Sequence, residues 1–241
     1  MADDLSSQGL FLQTIGYFHG DFEEKYEAAK QGSLIKSSKG KIILSEGQNY
    51  EQALEDLQGF ERIWVIFHMH KVKNWKRKVQ PPHSEKKRSV FATRSPHRPN
   101  PIGMSCVKLQ SVKGRTLFIQ EHDLLNETPI LDIKPYLSYS DSFPEAGMGW
   151  LEEEGEIRNY SIQMAEECGK EMEALKSQQG IDLYKSIFPR LSFYPFPKSF
   201  NRIKALNQEG SFEIAYKNFR LFFTLDEDSK SVYIFEIKKL T

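Results

Sequence analysis

The sequence predicts a mainly β protein with an α+β part: a small antiparallel β-barrel as N-terminal domain, residues 1–145, and a smaller α+β C-terminal domain, residues 150–241. Three observations carry this expectation. Up to about Asp141, short strand-like runs follow one another closely with few helical patterns between them, as in small antiparallel barrels. Beyond Asp141 the pattern changes to an amphipathic helix and a late hairpin. No G-x-G-x-x-G follows any strand, which argues against a doubly wound nucleotide-binding fold.

Taken in order, Leu10 to Phe18 alternates well enough for a first strand, and Asp21 to Lys30 is polar and charged. Ser38-Lys39-Gly40 is a turn signal ahead of a strand from Lys41 to Leu44. Asn49 is placed to cap a short helix through Leu57, with Ala53, Leu54 and Leu57 on one face and Gly59 ending it. Arg62 to His70 is a nearly continuous apolar run that reads as a buried strand. Lys73 to Arg88 is too polar for a core element and is expected to form a loop over the site. Ile102 to Ser111 and Arg115 to His122, joined at Lys113-Gly114, form an antiparallel hairpin pattern. After a loop from Asp123 to Pro129, Ile130 to Ile133 is a short strand. In the C-terminal part, Tyr160 to Gln179 reads as one helix with Ala165, Cys168, Met172 and Leu175 on its apolar stripe and Gly180 closing it. A second short helix follows Asp182, and Phe212 to Leu225 pairs with Val232 to Leu240 across a turn at Asp226 to Lys230.

At 241 residues the chain can bury one good core, or a medium domain plus a small one. Its net charge is zero, which taken alone argues against a nucleic-acid partner. The distribution says otherwise. From Lys71 to Arg98 there are ten Lys and Arg against Glu85, and from Asp141 to Glu173 ten acids against Arg158 and Lys170. One reading is a basic nucleic-acid patch; the other is a domain or dimer interface in which the two regions pair. Two cysteines, Cys106 and Cys168, have no partner at ligand spacing, so neither a disulfide framework nor a metal site is expected. Asp3, Asp4 and the lack of an apolar stretch of signal length argue against a secretory signal. No run approaches the ~18 apolar residues of a membrane span, and a cytoplasmic location is expected.

The most informative stretch runs from Ser89 to Met104. Prolines at 96, 99 and 101 stiffen the loop that holds Arg94, His97, Arg98 and Asn100. Two forked cations on a stiff loop suit a carboxylate or phosphate ligand, because little ordering entropy remains to be lost; a solvated proline-rich turn is the competing reading. Trp75 among Lys71, Lys73, Lys76, Arg77 and Lys78 offers a ring for stacking a base and cations for phosphates.

Phe91-Ala-Thr-Arg-Ser-x-x-Arg-Pro-Asn-Pro-Ile-Gly-Met-Ser105, together with Asp132-Ile-Lys-Pro-Tyr136, resembles the signature of the TsaA-like (TrmO, YaeB) family. The likeness is close from about Leu12 to Leu137 and looser beyond. It implies an S-adenosylmethionine-dependent methyltransferase that modifies N6 of threonylcarbamoyladenosine, next to the anticodon of threonine tRNA, and it implies a homodimer. The family's Pro-Arg-Gln triplet falls on Ala29, Lys30 and Gln31, where lysine keeps a charge without the bidentate fork. Its His-Gln pair falls on His70 and Lys71, and its Asp-Gly-Thr-Pro on Asn126, Glu127, Thr128 and Pro129. Glu127 is expected to lack the backbone freedom of the glycine it replaces. With Arg94 as carboxylate fork and Met104 beside the adenine, these residues are the expected cofactor contacts. Asp132 is assigned as proton acceptor, with Lys134 and Tyr136 orienting the base, and the competing reading of Asp132 is a salt bridge supporting Arg94 or Arg98. Trp75, Lys76, Arg77, Arg98 and Asn100 are assigned to RNA, the last two alternatively to locking the loop. A non-catalytic RNA-binding adaptor and a methyltransferase with another acceptor are the other readings weighed.

Overall fold

A computed structural model of the chain describes residues 9–24, 38–82, 84, 86–154, 159–197, 202–207 and 210–240. The N-terminal part contains β1 (Gly16–Gly20), β2 (Lys39–Leu44), α1 (Tyr50–Ala53), β3 (Arg62–His68), β4 (Lys78–Val79), β5 (Arg88–Ser89), β6 (Ile102–Lys113), β7 (Thr116–Gln120) and β8 (Thr128–Pro135). Six of these strands close into a barrel in the order β1-β2-β7-β6-β3-β8, every pair antiparallel. Alternation explains the closure. Ile63, Val65 and Phe67 of β3, Val107 and Leu109 of β6, Leu117 and Ile119 of β7, and Phe18, Ile42 and Ile130 fill one interior, while intervening residues face outward. Gly103 is small because the barrel is tight: a Cβ there would lie 2.4 Å from the Phe67 ring.

After the barrel comes α2 (Ser138–Asp141), and the C-terminal part contains α3 (Trp150–Glu153), β9 (Ser161–Met164), α4 (Glu166–Gln179), α5 (Leu183–Phe193), β10 (Ile203–Ala205), β11 (Ser211–Tyr216), β12 (Phe219–Asp226) and β13 (Ser231–Lys239). Its sheet has the order β10-β11-β12-β13-β9. Met172, Leu183, Ile187 and Leu191 of the two longer helices pack on Ile214, Phe219, Leu221, Phe223, Val232 and Ile234 as a second core. Asp182 starts α5, its Oδ1 accepting from Lys185 N at 3.0 Å.

Four local expectations are corrected. Residues 10–12 are exposed, and the first strand begins at Gly16, where β2 and β8 supply partners. Asn49 precedes only a single turn of helix; its φ is 53° and its amide donates to Gln52 Oε1 at 2.8 Å rather than capping the backbone. Tyr160 to Gln179 is not one helix: Ser161–Met164 runs parallel to β13, with Ile162 and Met164 turned to the core at strand spacing. Phe212 to Leu225 is two strands, because Lys217 takes φ 48° and reverses the chain at Lys217-Asn218.

The two parts meet at a salt bridge of 2.7 Å between Lys185 and Asp21, with the lysine also 5.2 Å from the centroid of the Phe22 ring. Behind Phe22 lies His122, buried between Phe18 and Phe22 at ring distances of 4.6 and 5.5 Å. Neither ring nitrogen has a well-formed hydrogen bond among the described residues. Burial, against a partial opposing effect of the Lys39 and Leu124 backbone, lowers its pKa to about 4. The unfolded chain therefore binds a proton that the folded protein refuses between pH ~6.5 and ~4, and stability falls as pH falls through that window by up to about 3 kcal/mol. Urea midpoints measured at pH 7 and pH 4.5 should differ more in the wild type than in His122→Leu; parallel profiles would remove this assignment.

Candidate active site at the barrel rim

The end of β3, the segment after β1 and the loop before β8 converge on one rim. Asn126 ties two of them together, donating to Glu23 Oε1 at 2.9 Å and accepting from Gly20 N at 3.2 Å, while its own backbone N–H donates to the Phe22 carbonyl at 2.7 Å. Lys71 donates to the Glu23 carbonyl and lies 4.0 Å from Glu24. Glu127 lies 2.9 Å from His19 Nδ1. Its φ is 59°, so the backbone here keeps the left-handed conformation that glycine favours, and the expectation that glutamate forfeits it is corrected; the cost is about 1 kcal/mol. Burial first, then the charges of Lys71 and His68, lowers the pKa of His70, while Glu127 acts weakly the other way. At neutral pH His70 is thus a neutral imidazole with one donor and one acceptor.

Thr128 and Pro129 belong to the scaffold of this rim. Thr128 is buried, its hydroxyl closing the loop on the Leu125 carbonyl at 2.7 Å, and Pro129 pairs with Tyr17. Ala29, Lys30 and Gln31 lie outside the described residues.

Arg94 is presented by a loop that locks itself. Thr93 Oγ1 donates to the Val90 carbonyl at 2.9 Å and accepts from Ser95 N at 3.2 Å, and Ser95 Oγ accepts from His97 N at 3.3 Å. Arg98 donates to the carbonyls of Val90 and Thr93 at 3.1 and 2.8 Å and lies 5.4 Å from the centroid of the Phe91 ring. Its guanidinium thus fastens the loop. Asn100 is exposed, and its carbonyl accepts from Ile102 N at 2.8 Å. The exposed Arg94 guanidinium donates no hydrogen bond among the described residues and remains available to a ligand.

Its electrostatic neighbour was not anticipated from sequence. The Asp123 carboxyl accepts from Ser105 Oγ at 2.5 Å; burial raises its pKa, opposed by that hydrogen bond and by the Arg94 charge. The available signal was Ser105 itself, a hydroxyl at an inward position of β6 between Gly103 and Val107.

The remaining residues lie on the barrel's outer wall. Ile66 of β3 pairs with Met104 on one side and Asp132 on the other, two residues along the strand from His68, roughly 7 Å. A bulge between Ile66 and Phe67 shifts the register so that Ile130 and Ile133 both reach the core while Asp132 turns outward. Asp132 Oδ2 is 2.9 Å from Lys134 Nζ, and Oδ1 accepts from Ile133 N at 2.8 Å. Its ion-pair partner is therefore Lys134 rather than Arg94 or Arg98. Tyr136 rests against Trp64, 5.8 Å between ring centroids, and Trp64 Nε1 donates to Asp141 at 2.8 Å.

The basic segment is an arm held by hydrogen bonds rather than a plain loop. β4 pairs with β5, Lys76 N donates to the His97 carbonyl and Val90 N to the Arg77 carbonyl, both at 3.0 Å. Trp75, Lys76, Arg77 and Lys78 are exposed along its outgoing side. Among the described residues no cluster of His, Cys, Asp and Glu is placed to hold a metal ion, and no helix is long and apolar enough to cross a membrane.

Residues 17–142, which hold the six-stranded barrel together with the Arg94 loop and His70, match the family model of the tRNA-methyltransferase O N-terminal domain. The chain belongs to that family. A rat protein named tRNA (adenine(37)-N6)-methyltransferase is 40% identical over 143 residues, covering 57% of this chain and 33% of its own length. A probable S-adenosyl-L-methionine-binding protein of Pyrococcus abyssi is 40% identical over 138 residues, 57% of this chain and 74% of its own length. The Escherichia coli K12 tRNA (adenine(37)-N6)-methyltransferase is 35% identical over 149 residues, 58% and 63%. The match therefore spans about a third of the rat relative and under two thirds of the bacterial one. The crystal structure of TrmO from Pseudomonas aeruginosa matches 98% of this chain and 100% of its own with a TM-score of 0.70 at 22% identity, a likeness of fold that includes the C-terminal sheet.

Proposed function

We propose that this chain is an S-adenosylmethionine-dependent tRNA (adenine-N6)-methyltransferase acting at position 37, with threonylcarbamoyladenosine of threonine tRNA as acceptor. The observation that carries the reading is the Arg94 fork, free among the described residues on its self-locked loop, in a chain with relatives named tRNA (adenine(37)-N6)-methyltransferase. The residues fit the cofactor. Arg94 offers paired donors to a methionine carboxylate, and His70 and Lys71 sit on the rim tied by Asn126 and Glu127, with Met104 on the adjoining wall. When bound, the cofactor supplies a methyl group on a sulfonium.

The protein's own part is positioning and proton handling. An exocyclic adenine nitrogen is a weak nucleophile because its lone pair is delocalised into the ring. A threonylcarbamoyl substituent makes its N–H more acidic, and Asp132 accepts that proton. Lys134, already paired with Asp132, and Tyr136 orient the base. Trp75, Lys76 and Arg77 carry the RNA by stacking and charge, beside a loop that Arg98 and Asn100 keep in place. Exposed Phe91, Met104, Tyr139, Phe143 and Met148 favour a second copy of the chain as partner, and the protein acts in the cytoplasm.

Asp132→Asn should lower kcat about 100-fold with little change in KM for either substrate; an unchanged rate would remove Asp132 from catalysis. The reading as a whole is tested by transfer of labelled methyl to total tRNA, with product nucleosides identified by mass spectrometry. Threonine tRNA with and without the threonylcarbamoyl group is compared. Label in methylated threonylcarbamoyladenosine is expected. Cofactor binding without label in any nucleoside would favour a non-catalytic adaptor.

A further inference from the structure

The acidic stretch after the barrel does not stand free of the basic arm. Arg88, on the returning strand of the arm, donates to Glu154 Oε1 at 2.8 Å and Glu153 Oε2 at 3.3 Å. Its guanidinium lies 4.9 Å from the centroid of the Trp150 ring, and Trp150 Nε1 donates to the Ala92 carbonyl at 2.7 Å. A hydrogen bond to the buried Ser84 hydroxyl, then one to Arg88, holds the Glu154 carboxyl below the usual carboxylate range. α3 and the residue after it therefore grip the arm at two places, Arg88 and Ala92.

Each grip has a consequence for the arm. Arg88 is paired with Val79 in the β4–β5 ladder, so fixing Arg88 fixes both strands. Ala92 stands two residues before Arg94, next to the loop that Arg98 locks. The cations of the arm are not alike, and Lys86 and Lys87, just before β5, are exposed. Arg88, on the returning strand, is neutralised by the protein's own carboxylates, whereas Lys76, Arg77 and Lys78 on the outgoing side are exposed. A planar guanidinium held between two carboxylates and an indole face has little freedom left, which makes it a rigid anchor rather than a phosphate contact.

We infer that α3 and Glu154 form a clamp that sets the angle of the basic arm over the barrel rim, with Arg88, Trp150 and Glu154 as positioning residues for the tRNA. The inference rests on the methyltransferase reading proposed above. It assigns the segment between barrel and C-terminal sheet a part in RNA binding although it is acidic and bears no RNA contact itself.

Charge reversal separates the clamp from simple electrostatics. Glu154→Arg adds positive charge beside the arm, so an unclamped basic surface would bind tRNA more tightly. The clamp requires the opposite: KM for tRNA rises about tenfold, a loss near 1.4 kcal/mol, with the dissociation constant for S-adenosylmethionine unchanged. Arg88→Glu raises KM likewise, and the double variant Arg88→Glu/Glu154→Arg recovers most of the loss. Amide hydrogen exchange over residues 77–92 follows the same pattern, faster in each single variant and restored in the double, while the barrel strands keep wild-type protection. A lower KM in Glu154→Arg, or a double variant no better than the singles, overturns the clamp. Wild-type protein that transfers no methyl to tRNA would refute the functional reading instead, and the exchange data would then judge the clamp alone.

Discussion

Arg94→Ala is expected to abolish measurable methyl transfer and to weaken S-adenosylmethionine binding about 100-fold, equivalent to about 3 kcal/mol. The size follows from what the side chain does and does not do. It donates to no described protein group, so its removal breaks no hydrogen bond among the described residues. The loop holds its shape through the Thr93 and Ser95 hydroxyls, three prolines and the Arg98 guanidinium, so the thermal midpoint should stay at the wild-type value. The loss falls on the ligand, whose carboxylate forfeits a bidentate partner. Arg94→Lys should restore part of the affinity, since a point charge keeps the attraction without the fork. The Asp123 carboxyl, which the Arg94 charge moderates, should move further up in the alanine variant. Isothermal calorimetry decides the matter. A dissociation constant within a factor of about three of wild type would place the cofactor carboxylate elsewhere.

How far this site could be read from sequence depended on whether its parts are local. The arginine loop was legible because proline acts on its own neighbours, and Arg94, Arg98 and the prolines lie within eight residues. The strands were legible from alternation, and their close succession predicted a barrel, but which strands meet was not legible, since β1 meets β8 more than a hundred residues later. Asp123 escaped for that reason: its loop points at Ser105 and Arg94 only once the barrel has closed. The direction of Asp132 hangs on one bulge, which alternation alone would have turned inward toward Ile130. Tyr160 to Met164 was read as helix because the +3, +4 stripe that starts at Ala165 was extended back over it, whereas Tyr160, Ile162 and Met164 alternate at strand spacing and the edge of β13 decides. The turn at Lys217-Asn218 was missed because no glycine marks it, although asparagine after a residue at φ 48° serves the same geometry. Of the two readings of the charge asymmetry, pairing with the acidic stretch holds for Arg88, while Lys76, Arg77 and Lys78 on the outgoing side are exposed.

Gly16→Ala should be the most damaging single-methyl change in the barrel. Gly16 pairs with Leu44 of β2 and with Ile130 of β8, so it sits where the last strand meets the first. Its flank is fastened on both sides, Ile15 N donating to the Ile130 carbonyl at 2.8 Å and Ser45 N to the Ile15 carbonyl at 2.9 Å. A Cβ at this position would lie 2.3 Å from the Ile43 carbonyl oxygen and 2.7 Å from the Leu44 Cα. Both are backbone atoms of a paired strand and cannot rotate aside. Relief requires β1 and β2 to separate, which breaks ladder bonds at the seam that closes the barrel. The expected cost is roughly 3 kcal/mol or more, at the upper end of overpacking. Gly103→Ala offers the control. There the obstruction at 2.4 Å is the ring of Phe67, a side chain with rotamers to explore, so the loss should be smaller. Urea unfolding of the two variants, followed by far-ultraviolet circular dichroism, ranks them directly. If Gly16→Ala proves no less stable than Gly103→Ala, the seam yields more readily than its backbone geometry requires, and closure between β1 and β2 is not the rigid element that holds the rim.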